Sequence, residues 1–316
     1  MSFTDLLTIA MPCYERKDFF REALESALNQ TVKCKIIVLD NCSSHNYYEE
    51  VCKEKGVTYY RNDRNIGMTG NFSKSFELSD TKYVMNLQDD DKLHHEYVES
   101  FLNAVTRYPD IDIFFTDFEV NTDHGIQTHP HTLPFGYMES GAKIIEYAIN
   151  YKMGFPYIAS AIKRTKAHKA EEVSEMIGSY DWEWIYSRAN KLSFYGDPRK
   201  LYLFRVHDNQ ETKLEASNHS FSLPYIYDMI LKENVSDTKL RKKASNNAFW
   251  ELFVIKSVVD EKKITEFKNG DTKYSNYLKS KLNENILLKT IFLMPKGLVT
   301  FIYKIIRKVK MQFSNV

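Results

Sequence analysis

Three consecutive carboxylates, Asp89-Asp90-Asp91, stand directly after the apolar run Tyr83-Val84-Met85-Asn86-Leu87. Like charges at that spacing repel, so an uncompensated cluster costs stability, and a bound hard cation removes the cost. The chemistry suits Mg²⁺ or Mn²⁺ held by Asp together with water and diphosphate oxygens. A solvated acidic turn ahead of a helix over 96–107 explains the same residues without a metal, and the triplet alone does not choose between the two. Two further polar groups, Pro12-Cys13-Tyr14-Glu15 and Asp40-Asn41, also follow apolar runs. His94, His95, His124, His129 and His131 fall at helix starts or in loops and receive no role, His129-Pro130-His131 being only a weak metal pattern.

The elements that must position these groups alternate in type. Leu6–Met11 is a short apolar run ended by Pro12, as a buried parallel strand would be. Asp18 is placed to cap a helix whose apolar positions Phe20, Leu24, Ala27 and Leu28 recur at helical spacing. A strand over 36–39, a helix over 48–55 ending at Gly56, and a strand over 57–60 follow. Then come the loop Asn62-Asp63-Arg64-Asn65-Ile66-Gly67, a helix to about Leu78, and the strand over 83–87. This order predicts an α/β fold with a doubly wound, mostly parallel sheet, helices on both faces, and ligands at the carboxyl ends of the strands. Segment 121–160, with Gly125, Pro130, Pro134, Gly136, Gly154 and Pro156, reads as loop-rich. No internal repeat or low-complexity segment is present.

Pro12-Cys13-Tyr14, Val38-Leu39-Asp40-Asn41-Cys42-Ser43, Arg64-Asn65-Ile66-Gly67 with Asn71, and Leu87-Gln88-Asp89-Asp90-Asp91 together resemble the family 2 glycosyltransferases of GT-A, Rossmann-like fold. Order and spacing match over about residues 5–110. The resemblance implies a nucleotide-sugar site, with UDP the expected nucleotide. In it Pro12, Tyr14 and Glu15 lie near the base, Asp40 at base or ribose, and Arg64, Asn65 and Gly67 near the nucleotide. Asp89 and Asp91 can be read as the family's Asp-x-Asp element. Alignment on the preceding strand instead puts Gln88 at the first position and Asp90-Asp91 on the following acidic pair. Asp91 is the first choice for direct metal contact, Asp89 is the second ligand, and Asp90 is placed with the nucleotide.

Gly178-Ser179-Tyr180-Asp181-Trp182-Glu183-Trp184 resembles the family's acceptor-side segment, with Tyr180 where the family usually has Glu. Asp181 then matches the catalytic base. Inverting transfer needs one carboxylate to take the acceptor hydroxyl's proton, although a helix cap would also explain Asp181. Trp182 and Trp184 are assigned to acceptor stacking. Being two apart they project from different helix faces, which leaves a core role open. Leu203-Phe204-Arg205-Val206-His207 resembles a strand that returns His207 to the metal or diphosphate.

The bulk properties bound these readings. At 316 residues with 43% hydrophobic and 14% aromatic content, the chain can pack a large core and is not disordered. The organisation expected is a transferase domain over 1–212, with a donor half to about 110 and an acceptor half over 111–212. A helical region with a basic amphipathic tail then occupies 213–316. With 43 basic against 42 acidic residues, no global field points to nucleic acid. Cys13, Cys34, Cys42 and Cys52 form no close pair, and no basic-then-apolar leader is visible, so reduced thiols in the cytoplasm are expected. Residues 286–316 hold Lys289, Lys296, Lys304, Arg307, Lys308 and Lys310 and no Asp or Glu. The segment is interrupted too often by Lys and by Pro295-Lys296-Gly297 for a membrane span. It suits either peripheral contact with the inner face of a membrane or a helix packed on the core with a solvated basic face. The function expected is metal-dependent, inverting transfer from a nucleotide-sugar to a glycan or lipid-linked saccharide in surface-polysaccharide synthesis. The alternatives are a Mg²⁺-dependent nucleotidyltransferase, which no phosphate-binding glycine loop supports, and a non-catalytic sugar-nucleotide or glycan-binding module.

Overall fold

A computed structural model describes residues 5–122, 125–127, 133–152, 154–173, 178–208, 210 and 216–313. His124, His129, Pro130 and His131 lie outside the described residues. The chain divides into two compact units, one of 1–147, 154–174 and 188–210, the other of 148–153, 175–187 and 211–316. The segment with Asp181 thus belongs to the second unit.

The first unit is built on a ten-stranded sheet in the order β3-β2-β1-β4-β9-β6-β10-β5, with β7 on β6 and β8 on β10. Strands β1 (Leu7–Cys13), β2 (Lys35–Asp40), β3 (Thr58–Arg61) and β4 (Tyr83–Asn86) pair in parallel. They alternate with helices α1 (Phe20–Leu28), α2 (Tyr47–Lys55) and α3 (Gly67–Leu78), as the sequence predicts. Beyond β4 the pairing is mixed. The short β5 (Lys92–Leu93) and helix α4 (Tyr97–Arg107) precede β6 (Ile113–Thr122), β7 (Gly125–Gln127), β8 (Gly136–Met138), β9 (Ser160–Lys163) and β10 (Phe194–Arg205). β10 runs parallel to β6, whereas β9 is antiparallel to both β4 and β6.

Apolar side chains on β1, β4, α1 and α4 form the main core, among them Leu7, Ile9, Met11, Leu24, Met85 and Phe101. β1 continues through Pro12 to Cys13, two residues further than its proline suggests. β4 pairs with β1 only as far as Ala10, so the missing Pro12 N–H faces no strand on that side. Asp18 does not cap α1, whose N-terminal boundary is Phe19 without a side-chain cap. Within segment 121–160 the described residues are not all loop. It contains a ten-residue helix α5 (Ala142–Tyr151) that buries Ile144, Ile145 and Ile149, because an apolar helical period lies between its loop residues.

After a short helix α6 (Ala170–Val173), the second unit takes most of α7 (Tyr180–Arg188). It continues with α8 (Ala216–Tyr225), a π-helical turn at Ile226–Leu231, α9 (Thr238–Val258), α10 (Glu261–Asn269), α11 (Lys273–Glu284), α12 (Ile286–Leu293) and α13 (Lys296–Phe313). Phe221, Leu252, Ile255, Leu278 and Leu288 make its own core. The helical C-terminal region is therefore as expected.

Candidate active site

In the first unit the chain runs outward from β1 to β3 and then returns to β4 on the other side of β1. The carboxyl ends of β1 and β4 thereby flank a switch point, where open α/β sheets bind ligands. The loops after these two strands meet there. The Arg16 guanidinium pairs with Asp90 Oδ2 and lies 3.3 Å from Asp89 Oδ1. His207, just past β10, brings Nε2 to 2.9 Å from the same Asp90 oxygen.

All three carboxylates are buried, and they differ in what holds them. Asp91 has both oxygens occupied, one by the Tyr202 hydroxyl at 2.6 Å and the other by the Arg205 backbone N–H at 2.7 Å. That geometry ties β10 to the acidic loop. Burial pushes the Asp89 carboxyl up to about 7, opposed by Arg16 and reinforced by Asp90. Burial, then the charge of Asp90, likewise pushes Asp91 well above the usual carboxylate range. Such a cluster resists full ionisation unless positive charge is supplied, so it fits a dication. Asp90 and His207 offer one oxygen and one nitrogen ligand, a pair acceptable to Mn²⁺ when phosphate oxygens and water complete the shell.

Arg205 stacks over the Phe19 ring at 4.3 Å, donates from Nε to the Asp90 carbonyl at 2.8 Å and pairs with Glu22 at 2.7 Å. His207 packs on the same Phe19 ring at 5.1 Å. The return strand is thus clamped to the start of α1.

The residues assigned to the nucleotide fall into supports and exposed groups. Pro12 is inside β1, opposite Leu39. Asp40 is fully buried, accepting from Ser43 N at 2.9 Å, Ser43 Oγ at 2.6 Å and the Tyr59 hydroxyl at 2.8 Å. Glu15 has the left-handed φ of 56°, and its carboxylate accepts from Ser44 N at 2.7 Å and Ser44 Oγ at 2.8 Å, which lowers its pKa. Asn41 Nδ2 donates to Asn65 Oδ1 at 2.8 Å, while Asn41 Oδ1 accepts from Asn62 and Ile66 N. Asn62 also reaches Asn71, which donates to the Leu39 carbonyl at 3.0 Å. Gly67, at φ 77°, takes a conformation that favours glycine and donates to Asn65 Oδ1. These residues hold the loops after β1, β2 and β3 to one another. Tyr14 and Arg64 are exposed beside them, available to a ligand.

The second unit carries the other group. Ser179 accepts from Glu183 N at 3.0 Å, starting α7, and Asp181 stands in its first turn. Asp181 is partly exposed, yet desolvation pushes its carboxyl up to about 6 against the lowering effect of the Trp182 N–H. Glu183 is buried, paired with Lys273 and accepting from the Tyr274 hydroxyl at 2.5 Å, so it is structural. Trp184 is fully buried and offers no face to an acceptor, a correction to its assignment that follows from its inward helix position. Trp182 stays partly exposed, edge-on to His219 at 5.4 Å, and His219 Nδ1 lies 2.6 Å from Ser179 Oγ.

Arg16, Tyr202, His219 and Lys273 are the contributors that the sequence reading missed. Arg16 has a weak local signal in its place two residues after Tyr14. The Tyr202–Asp91 contact spans 111 residues and has none. Among the described residues, His94, His95 and Glu96 bring possible ligand atoms within 4.8 Å, but His94 and His95 are exposed and His94 Nδ1 faces Glu96 N at 3.4 Å as a helix-start contact.

Residues 8–168 match the family described as Glycosyl transferase family 2. An uncharacterized glycosyltransferase of Methanocaldococcus jannaschii is 31% identical over 119 residues, 35% of this chain and 41% of that one. The glycosyltransferase GlyA of Streptococcus pneumoniae is 24% identical over 220 residues, 65% of this chain and 31% of the relative. The matches thus span less than half the length of these relatives. The crystal structure of S. aureus TarS 1–349 in complex with UDP-GlcNAc is similar in fold, with TM-score 0.65 and 11% identity over 95% of this chain and 91% of that one.

Proposed function

The chain belongs to glycosyl transferase family 2, and from that premise we propose that it moves a sugar from a UDP-linked donor to a saccharide or lipid-linked acceptor hydroxyl, with inversion and with help from Mn²⁺ or Mg²⁺. The observation that carries the metal part is the crowding of three buried carboxylates against Arg16 and His207 at the switch point. Asp90 and His207, whose Oδ2 and Nε2 already lie 2.9 Å apart, would hold the cation; Asp91, the first ligand expected from the sequence, has each oxygen accepting a bond from β10, and Asp89, the second, lies beside Asp90 on the same Arg16. A dication there supplies positive charge to the leaving diphosphate. Arg16 and the exposed Arg64 add cationic donors for phosphate oxygens, and Tyr14 offers an aromatic face to the base. The TarS complex with UDP-GlcNAc supports a nucleotide-sugar of this kind.

Asp181 is the base in this reading. An acceptor hydroxyl attacks the anomeric carbon, the bond to the diphosphate breaks, and Asp181 takes the hydroxyl proton. Its raised pKa makes it a better proton acceptor than an ordinary surface carboxylate while leaving it ionised at neutral pH. Trp182 is the exposed aromatic beside it, suited to a sugar's C–H face.

The test is a transfer assay with purified protein, Mn²⁺ and a panel of UDP-sugars on saccharide acceptors, reading product configuration by NMR. Product with the anomeric configuration opposite to the donor's is expected. Retained configuration would overturn single displacement, and full activity in chelator would overturn the metal role.

A further inference from the structure

α12 and α13 both expose apolar and basic side chains. One side of α13 is packed. Val299 is buried, the Tyr303 ring lies 6.1 Å from that of Trp250 on α9, and Thr300 Oγ1 donates to the Ser257 carbonyl at 2.6 Å. Away from that side, Leu298, Phe301, Ile305 and Val309 follow one another at intervals of three or four and form a single exposed stripe, with Phe301 62% exposed. α12 adds Ile286 and Leu293, which are 82% and 79% exposed. An exposed apolar stripe of this length on a folded chain marks a contact face.

The charges identify the partner. Lys304 and Lys308 follow Phe301 and Ile305 by three residues and therefore border the stripe, and exposed Lys289 and Arg307 add to them. No Asp or Glu occurs from Ile286 to the end of the chain. A second copy of this surface would set like charges against each other, whereas anionic lipid headgroups complement them. No single described helix is long and apolar enough to cross a membrane, and α12 and α13 meet at 116°. We propose that this surface docks on an anionic bilayer, with the stripe of α13 inserted among the upper acyl chains and the bordering lysines at the headgroups. The proposal is independent of the donor-site reading.

Full-length protein is co-sedimented with vesicles of phosphatidylcholine alone and of phosphatidylcholine mixed with phosphatidylglycerol. Binding to the mixed vesicles only, weakening as salt rises, is expected. Phe301→Ser with Ile305→Ser should weaken it by more than about tenfold, and Lys304→Gln with Lys308→Gln by roughly ten- to thirtyfold. Thermal melting should stay unchanged in both variants because the side chains point to solvent. Wild-type protein that binds neither vesicle, or both alike, would overturn the proposal. So would stripe variants that bind normally, retention through an alkaline carbonate wash, which indicates a re-entrant span, or self-association that the stripe variants abolish.

Discussion

Asp181 and Glu183 stand two positions apart on α7 and take opposite parts. Glu183 is fixed by Lys273 and Tyr274, while Asp181 keeps solvent access and a raised pKa. Asp181→Asn should bind nucleotide normally in calorimetry yet lose about 10²–10⁴-fold in transfer rate. Glu183→Gln should instead lower stability by about 1–3 kcal/mol in urea titration, since Lys273 loses its charged partner, with the rate of the folded fraction kept. The base must be ionised to accept a proton. The wild-type rate should therefore rise with pH through about 6 and level off above it, falling roughly tenfold per unit below. Absence of that limb from the pH–rate profile would move the base elsewhere. The acidic triplet divides in the same manner. Asp90→Asn should abolish Mn²⁺ binding in calorimetry. Asp91→Ala should destabilise the fold by about 1–3 kcal/mol for each donor stranded on Tyr202 and Arg205. Residue type marked these carboxylates as candidates for chemistry, but assignment among neighbours one peptide apart depends on contacts from distant strands.

At the scale of elements, the asparagines of the β2–α3 region form a brace. Asn41, Asn62, Asn65 and Asn71 bond to one another, and Asn71 anchors the set to the Leu39 carbonyl in β2. Asn71→Ala removes the bond to the Leu39 carbonyl and the acceptor for Asn62, and so loosens the loop carrying Arg64. It should lower stability by about 1–3 kcal/mol and raise the KM for donor more than it lowers kcat, a split that steady-state kinetics resolves. The alternation of β1 to α4 was legible because each helix and strand carries its own apolar period. The mixed second half was less so. β10 is a strand of 12 residues whose irregular register with β6 between Asp197 and Tyr202 places Tyr202 and Arg205 at the acidic loop. Such a bulge is decided by pairing across the sheet, which no local pattern reports.

For the whole molecule, a ligand that binds only the folded chain raises its melting temperature. UDP with Mn²⁺ at about a hundredfold excess over Kd adds about 2.7 kcal/mol, or roughly 4 °C for a chain of this length. The shift should vanish in chelator and in Asp90→Asn, and a shift by UDP that ignores chelator would separate nucleotide binding from the metal. Sequence alone determined the order of strands and helices from β1 to α4, the ends at which loops gather, the family resemblance and the basic, acid-free tail, because propensity, period and composition are properties of neighbouring residues. Tertiary structure decided that Asp90 and not Asp91 faces His207, that Trp184 is core, that Glu183 is pinned by α11, and that the apolar stripe of α13 points outward. Each of these depends on which side chains from elsewhere in the chain fill the space beside a residue, and that is set only when the elements pack.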